Sequence, residues 1–138
     1  MSLEQALAGA AKHIASKVDE EKEIAVVSIA SSSNKVSSLL IDELTALLKE
    51  NNKLKVVERS GSDLEKLMAE KKIQMSDLVD DNTAVSIGKY IGAKIIIAGV
   101  LDNYSEFSSF RLKTSDVKTA ENIAPYTARV KSNEFFQP

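Results

Sequence analysis

The chain has 138 residues, no cysteine, one histidine and a formal net charge of −2. That length fits one domain with a real core. The composition excludes a disulfide framework, a thiolate nucleophile and a Cys- or His-rich zinc site, and the near-neutral balance gives no reason to expect nucleic acid or an anionic membrane as the main partner.

No apolar run approaches the roughly 20 residues of a membrane helix. Leu3, Leu7, Ala10, Ala11, Ile14 and Val18 fall on one helical stripe, predicting a first helix over about 3–18. Met1-Ser2-Leu3 reads as an expression leader, so that a signal segment and any lipid-bearing cysteine would lie outside the sequence given. Asp19-Glu20-Glu21-Lys22 is a solvated break. Residues 23–30 then read as a strand buried on both faces. Ser31-Ser32-Ser33-Asn34 is a turn able to cap a second helix, which carries Val36, Leu39, Leu40, Leu44, Leu47 and Leu48. Asn51-Asn52, tolerant of the left-handed conformation, would end it. Residues 53–58 read as a third strand, with Leu54, Val56 and Val57 as its apolar content.

Ser62 and Glu65 match a capping box for a helix bearing Leu64, Leu67 and Met68. A short helical turn around 76–79 follows. Asp81 or Asn82 then caps a helix with Ala84, Val85, Ile87, Tyr90 and Ile91, closed by Gly92 as its left-handed terminal residue. Residues 93–101, with three adjacent isoleucines, are the most apolar run and are expected at the sheet centre. Beyond Asp102, residues 107–117 and 123–130 alternate apolar and polar, as antiparallel strands joined by a turn at 118–122. The tail at 132–138 reads as frayed. The order predicts one α/β domain over 1–138, with its core at 22–131. It is three-layer-like, with helices flanking a mixed sheet of three crossover-connected strands plus an antiparallel meander.

No catalytic motif emerges. His13 would have to serve a triad from within the first helix. The Gly88–Gly92 segment lacks the spacing and hydroxyl residue of a phosphate-binding loop and runs helix to strand, the wrong order. Ser31-Ser32-Ser33 lacks the glycines of an anion loop and reads as a cap. Asp80-Asp81-Asn82 lacks the glycine and distal glutamate of a calcium loop. The lysines are scattered and form no evident basic stripe. Tyr104, Phe107 and Phe110 cluster after the central strand, either filling the core edge or forming an exposed contact patch for a protein partner.

Three segments together carry a family pattern. Lys55-Val56-Val57-Glu58-Arg59 ends a strand. Ile87-Gly88-Lys89-Tyr90-Ile91-Gly92-Ala93-Lys94 leads through Ile95-Ile96-Ile97-Ala98-Gly99-Val100. Phe110-Arg111-Leu112-Lys113-Thr114-Ser115-Asp116-Val117-Lys118-Thr119 closes the set. This order resembles the superfamily of the curli-assembly protein CsgG and the penicillin-binding-protein activator LpoB, over roughly 22–131. Lys94 stands where that pattern has Asp, and Thr119-Ala120-Glu121 replaces its Thr-Gly-Glu turn. The resemblance implies Glu58, Arg59, Gly92 and Gly99 as structural signature residues. It implies no cofactor and no catalysis. It implies the periplasmic part of an outer-membrane-anchored lipoprotein, binding an envelope protein such as a penicillin-binding protein or a secretion component. Long lipid-facing hairpins of the channel type are not found, which favours the activator-like branch over a secretion pore. A small-ligand or nucleotide-binding α/β domain is the alternative.

Overall fold

The computed structural model describes residues 2–18, 22–51, 54–57, 86–89 and 91–131. The elements run α1 (Leu3–Lys17), β1 (Glu23–Ala30), α2 (Asn34–Lys49), β2 (Lys55–Val56), β3 (Ile95–Asn103), β4 (Phe107–Asp116) and β5 (Tyr126–Lys131). Residues 86–89 and 91 are also helical. Outside the described residues lie the capping box at Ser62, the helices expected at 64–72 and 76–79, the Asp81 and Asn82 caps, Glu58, Arg59 and the tail.

The strands form one sheet in the order β2-β1-β3-β4-β5. β1 is parallel to β2 and to β3, while β3–β4 and β4–β5 are antiparallel. This is the mixed sheet expected, with the isoleucine run at its centre. Alternation divides β3 between two cores. Ile95, Ile97 and Leu101 point to one face, where α1 and α2 cover them with Leu7, Ile14, Leu40 and Leu44. Ile96 and Ala98 point to the other, against Ile87, Ile91 and Val117. A strand buried on both sides has no polar face, which is why the run reads as continuously apolar.

β1 contains a register shift between Val26 and Ser28. The extra residue flips the side-chain parity, so Ile24 and Val26 before it and Ile29 after it all reach the α1/α2 core.

The ends of the helices are specified locally. Ser2 and Gln5 form a reciprocal capping box at α1, and Leu3, read from sequence as part of a leader, is buried in the core. The Ser33 hydroxyl accepts from the Val36 N–H and caps α2. Gly92 has φ of +79°, as expected for the residue that ends a helix. The left-handed ending expected at Asn51 is not found. Glu50 is the C-cap in right-handed geometry, its N–H directed to the carbonyls of Ala46 and Leu48. β5 begins at Tyr126, not Ile123, because Pro125 has no N–H for the ladder. Only isolated bonds join the residues before it to β4, including Ile123 N–H to Thr114 O at 2.8 Å.

Candidate functional site

The chain leaves β1 toward β2 and returns across β1 to β3, so the topological switch lies at the carboxyl ends of β1 and β3. Ligands of open α/β sheets bind at such a point. A crevice of about 380 Å³ sits there, lined by residues that include Ser31, Ser32, Asp102 and Asn103. Its polar groups answer one another. Ser31 Oγ lies 2.8 Å from Ser33 O and 2.7 Å from Ser37 Oγ. Asn103 Oδ1 accepts from Ser108 Oγ at 2.7 Å, and Asp102 Oδ2 accepts from Arg111 Nη2 at 2.8 Å. Ser33 is held by its capping bond. At the position where related architectures hold a ligand, these polar groups are engaged with one another.

A different surface is open. β4 and β5 turn one face to α1 and α2 and the other outward. Register and parity place Phe107, Arg111 and Lys113 of β4 on the outer face with Thr127, Arg129 and Lys131 of β5. At the hairpin end, Tyr104 stacks on Phe107 with ring centroids 5.1 Å apart. The Arg129 guanidinium lies 4.4 Å from the Phe107 ring centre, across the strand diagonal. Tyr104 is 54% exposed. The hairpin is pinned by Tyr104 N–H donating to Phe107 O at 2.8 Å, so the aromatic pair is held in place rather than displayed on a loose tip.

Phe110 does not belong to this patch. It is fully buried, pointing into the α1/α2 core, because three residues along a strand reverse the face. Phe110 is therefore withdrawn as a contact residue. Arg129, which sequence reading passed over, takes its place beside Tyr104 and Phe107. The strict alternation of β4 carried that signal. The aromatic–cationic composition is the kind that anchors protein interfaces.

Gly99, on β3, lies opposite Leu112. A Cβ there would come 2.4 Å from Leu112 Cδ2 and 2.5 Å from Arg111 O, so the strand needs glycine for close approach. His13 packs against Tyr126, with ring centroids 6.1 Å apart. Burial raises the Tyr126 phenol above its ordinary pKa. Among the described residues no group of three His, Cys, Asp or Glu side chains could hold a metal ion. No helix among them is long and apolar enough to cross a membrane.

A family profile described as "Curli production assembly/transport component CsgG" matches residues 5–109. No curated protein matches the chain. Among solved structures, the LpoB C-terminal domain from Salmonella enterica superposes with a TM-score of 0.71 at 17% identity, covering 92% of this chain and 96% of that one. The same domain from Escherichia coli gives 0.71 at 17% identity, with 93% and 97% covered. Lipoprotein GNA1162 from Neisseria meningitidis gives 0.61 at 12% identity, with 85% of each chain covered. At such identities these likenesses establish a shared fold.

Proposed function

The chain belongs to the CsgG family, and from that premise we propose that it is a non-catalytic protein-interaction module, the periplasmic part of an outer-membrane lipoprotein. Its partner is an envelope protein, and the likeness to the LpoB C-terminal domain supports a peptidoglycan synthase of the penicillin-binding-protein class. The observation that carries the reading is the open outer face of β4 and β5. Tyr104, Phe107 and Arg129 form a preorganised contact surface there, while polar groups of the sheet's crevice are bonded to one another. Arg129, over the Phe107 ring, gives this end of the face a basic character, which fits an acidic patch on the partner.

A second reading, a component of an envelope export assembly, is favoured by the description of the family itself. One experiment addresses both. The native full-length protein is labelled with a fatty acid, the envelope is fractionated, and a photo-crosslinker is placed at Tyr104. Lipid label together with a cross-link to a penicillin-binding protein supports the first reading. A ladder of self-cross-links, or a cross-link to an export component, supports the second. An unlabelled cytosolic protein overturns both.

A further inference from the structure

A second cavity, of about 630 Å³, opens at the opposite end of the sheet, where β1 and β3 begin and β4 ends. The register gathers lysines there that are far apart in sequence. Lys22 precedes β1, Lys94 precedes β3, and Lys118 follows β4. Lys94 N–H donates to Glu23 O at 2.9 Å and Val117 N–H donates to Lys94 O at 2.9 Å, stitching these three strand ends side by side. Lys89 joins them from the helical residues at 86–89. Lysines that form no evident stripe in the sequence are thus brought to one end of the sheet by the fold.

The charges at this cavity do not cancel. Among the described residues that line it, four lysines stand with one carboxylate, Asp116, on a chain whose net charge is −2. Asp116 is already engaged. Its Oδ2 is 3.0 Å from Lys22 Nζ, and its Oδ1 accepts from the Lys118 N–H at 2.8 Å and the Thr119 N–H at 3.2 Å. Among the described residues, Lys89, Lys94 and Lys118 have no carboxylate within ion-pair distance. The nearby helix end accounts for Lys89 alone, since a cation favours a helix C-terminus. Lys94 and Lys118 lie outside that helix. The wall between the lysines is small and apolar. It includes Ala93, Val117 and Gly88, where a Cβ would meet Ile96 Cδ1 at 2.4 Å and Val117 Cγ2 at 2.5 Å. Gly92 faces open space, with nothing within 4 Å of the Cβ position.

We propose that this cavity binds a multiply charged phosphate group, through Lys94 and Lys118 with Lys89 at the rim. A lysine ammonium is a point charge suited to phosphate oxygens, and three lysines lining one cavity match an anion carrying more than one charge. The volume lies within the range of small-ligand sites. A free phosphate ester and an anionic lipid headgroup present the same chemistry, and the test separates them. The site is remote from the Tyr104 surface and stands whether or not that surface binds a protein.

Amide spectra of the isotope-labelled protein are followed during titration with inorganic pyrophosphate, and separately with vesicles of phosphatidylglycerol or of phosphatidylcholine. Saturable shifts at Gly88, Gly92, Ala93, Lys94 and Lys118 are expected, weakening as salt is added. The Lys94→Gln/Lys118→Gln variant should weaken the response by about tenfold or more, since each lysine replaced removes a charged hydrogen bond. Both side chains are exposed, and an unchanged melting curve confirms that the variant is folded. Saturation by pyrophosphate identifies a soluble phosphate. Saturation by phosphatidylglycerol vesicles alone identifies a headgroup. Saturation by neither, shifts scattered over the surface, or equal affinity in the double variant overturns the proposal.

Discussion

Replacing Ala120 by glycine should stabilise the protein. Ala120 has φ of +62°, in the left-handed region. Its neighbours fix it there. Ala120 N–H donates to Asp116 O at 2.7 Å, Asp116 N–H donates to Glu121 O at 2.9 Å, and the Asp116 carboxylate holds the two amides in between. An L-residue with a Cβ pays about 1–2 kcal/mol in this conformation. Glycine removes that strain but loses about 0.4–1 kcal/mol through its freer unfolded chain. The net gain is about 0.5–1 kcal/mol. With an unfolding entropy near 2.1 cal/mol/K per residue over 138 residues, Ala120→Gly should raise Tm by about 2–3 °C. Ala120→Val should lower it, because a β-branched side chain fits this region worse. Calorimetry on the three proteins decides. A glycine variant that melts at or below the parent, or a valine variant that matches it, refutes the strain argument. The position is the one where the family pattern carries glycine, so the departure seen in sequence has a backbone consequence.

Thr114 Oγ1 is buried and has no hydrogen-bond partner among the described residues, so Thr114→Val should stabilise by about 1 kcal/mol in urea unfolding. A loss of stability would show that the hydroxyl is satisfied after all. Phe110→Ala should cost about 3–5 kcal/mol as a core truncation, while Tyr104→Ala should stay within about 0.5 kcal/mol and act on partner binding alone. Equal destabilisation by the two would contradict the assignment of faces. Burial alone would raise the Asp116 pKa, but the Lys22 ammonium and the two backbone amides outweigh it and hold the pKa below its ordinary value. The stability Asp116 contributes is therefore present above the ordinary aspartate range and is lost as pH falls through its lowered folded-state pKa. Asp116→Ala should destabilise at neutral pH by about 1.5–3 kcal/mol, chiefly through the two charge-assisted amide bonds, because Lys22 is 39% exposed and its pair is weak. The same variant should flatten the acid limb of stability against pH, and an acid limb as steep as the parent's would dismiss the carboxylate's role.

Much of the fold was legible because the informative residues act locally. The β1 boundaries, the Ser33 cap and the positive φ at Gly92 each follow from side chains within a few positions. What was misread depends on register. Phe107 and Phe110 look like neighbours in sequence, yet the pleat sends them to opposite sides of the sheet. The shift inside β1 moves Ile29 into the face that Ser28 would have occupied, and no residue type there announces it. The lysine cavity was invisible for the same reason. Lys22 and Lys94 become neighbours only because two parallel strands start at one edge of the sheet, and Lys118 joins them only because β4 runs the other way. One rule could have found the cluster. A residue before a parallel strand and a residue after its antiparallel neighbour share an end.

The direction of β4 also explains why no helix N-terminus follows β3, where a nucleotide-binding sheet has one. In a doubly wound fold, strands lead into helices, whose free N-terminal amides collect at the carboxyl end and attract phosphate. Here β3 turns directly into β4 through a tight hairpin, so no helix start follows it. Among the described residues, the helix that starts at this end, α2, is capped by Ser33, and Asp102 at the same crevice is paired with Arg111. An anion approaching that crevice meets a filled cap and the Asp102–Arg111 ion pair. At the other end it meets Lys89, Lys94 and Lys118. The antiparallel half of the sheet thus inverts the usual polarity of the fold. Phosphate-induced shifts should appear at Gly92, Lys94 and Lys118 while Ser31, Ser33 and Asp102 stay silent, and the opposite pattern would mean that the carboxyl end still attracts the anion.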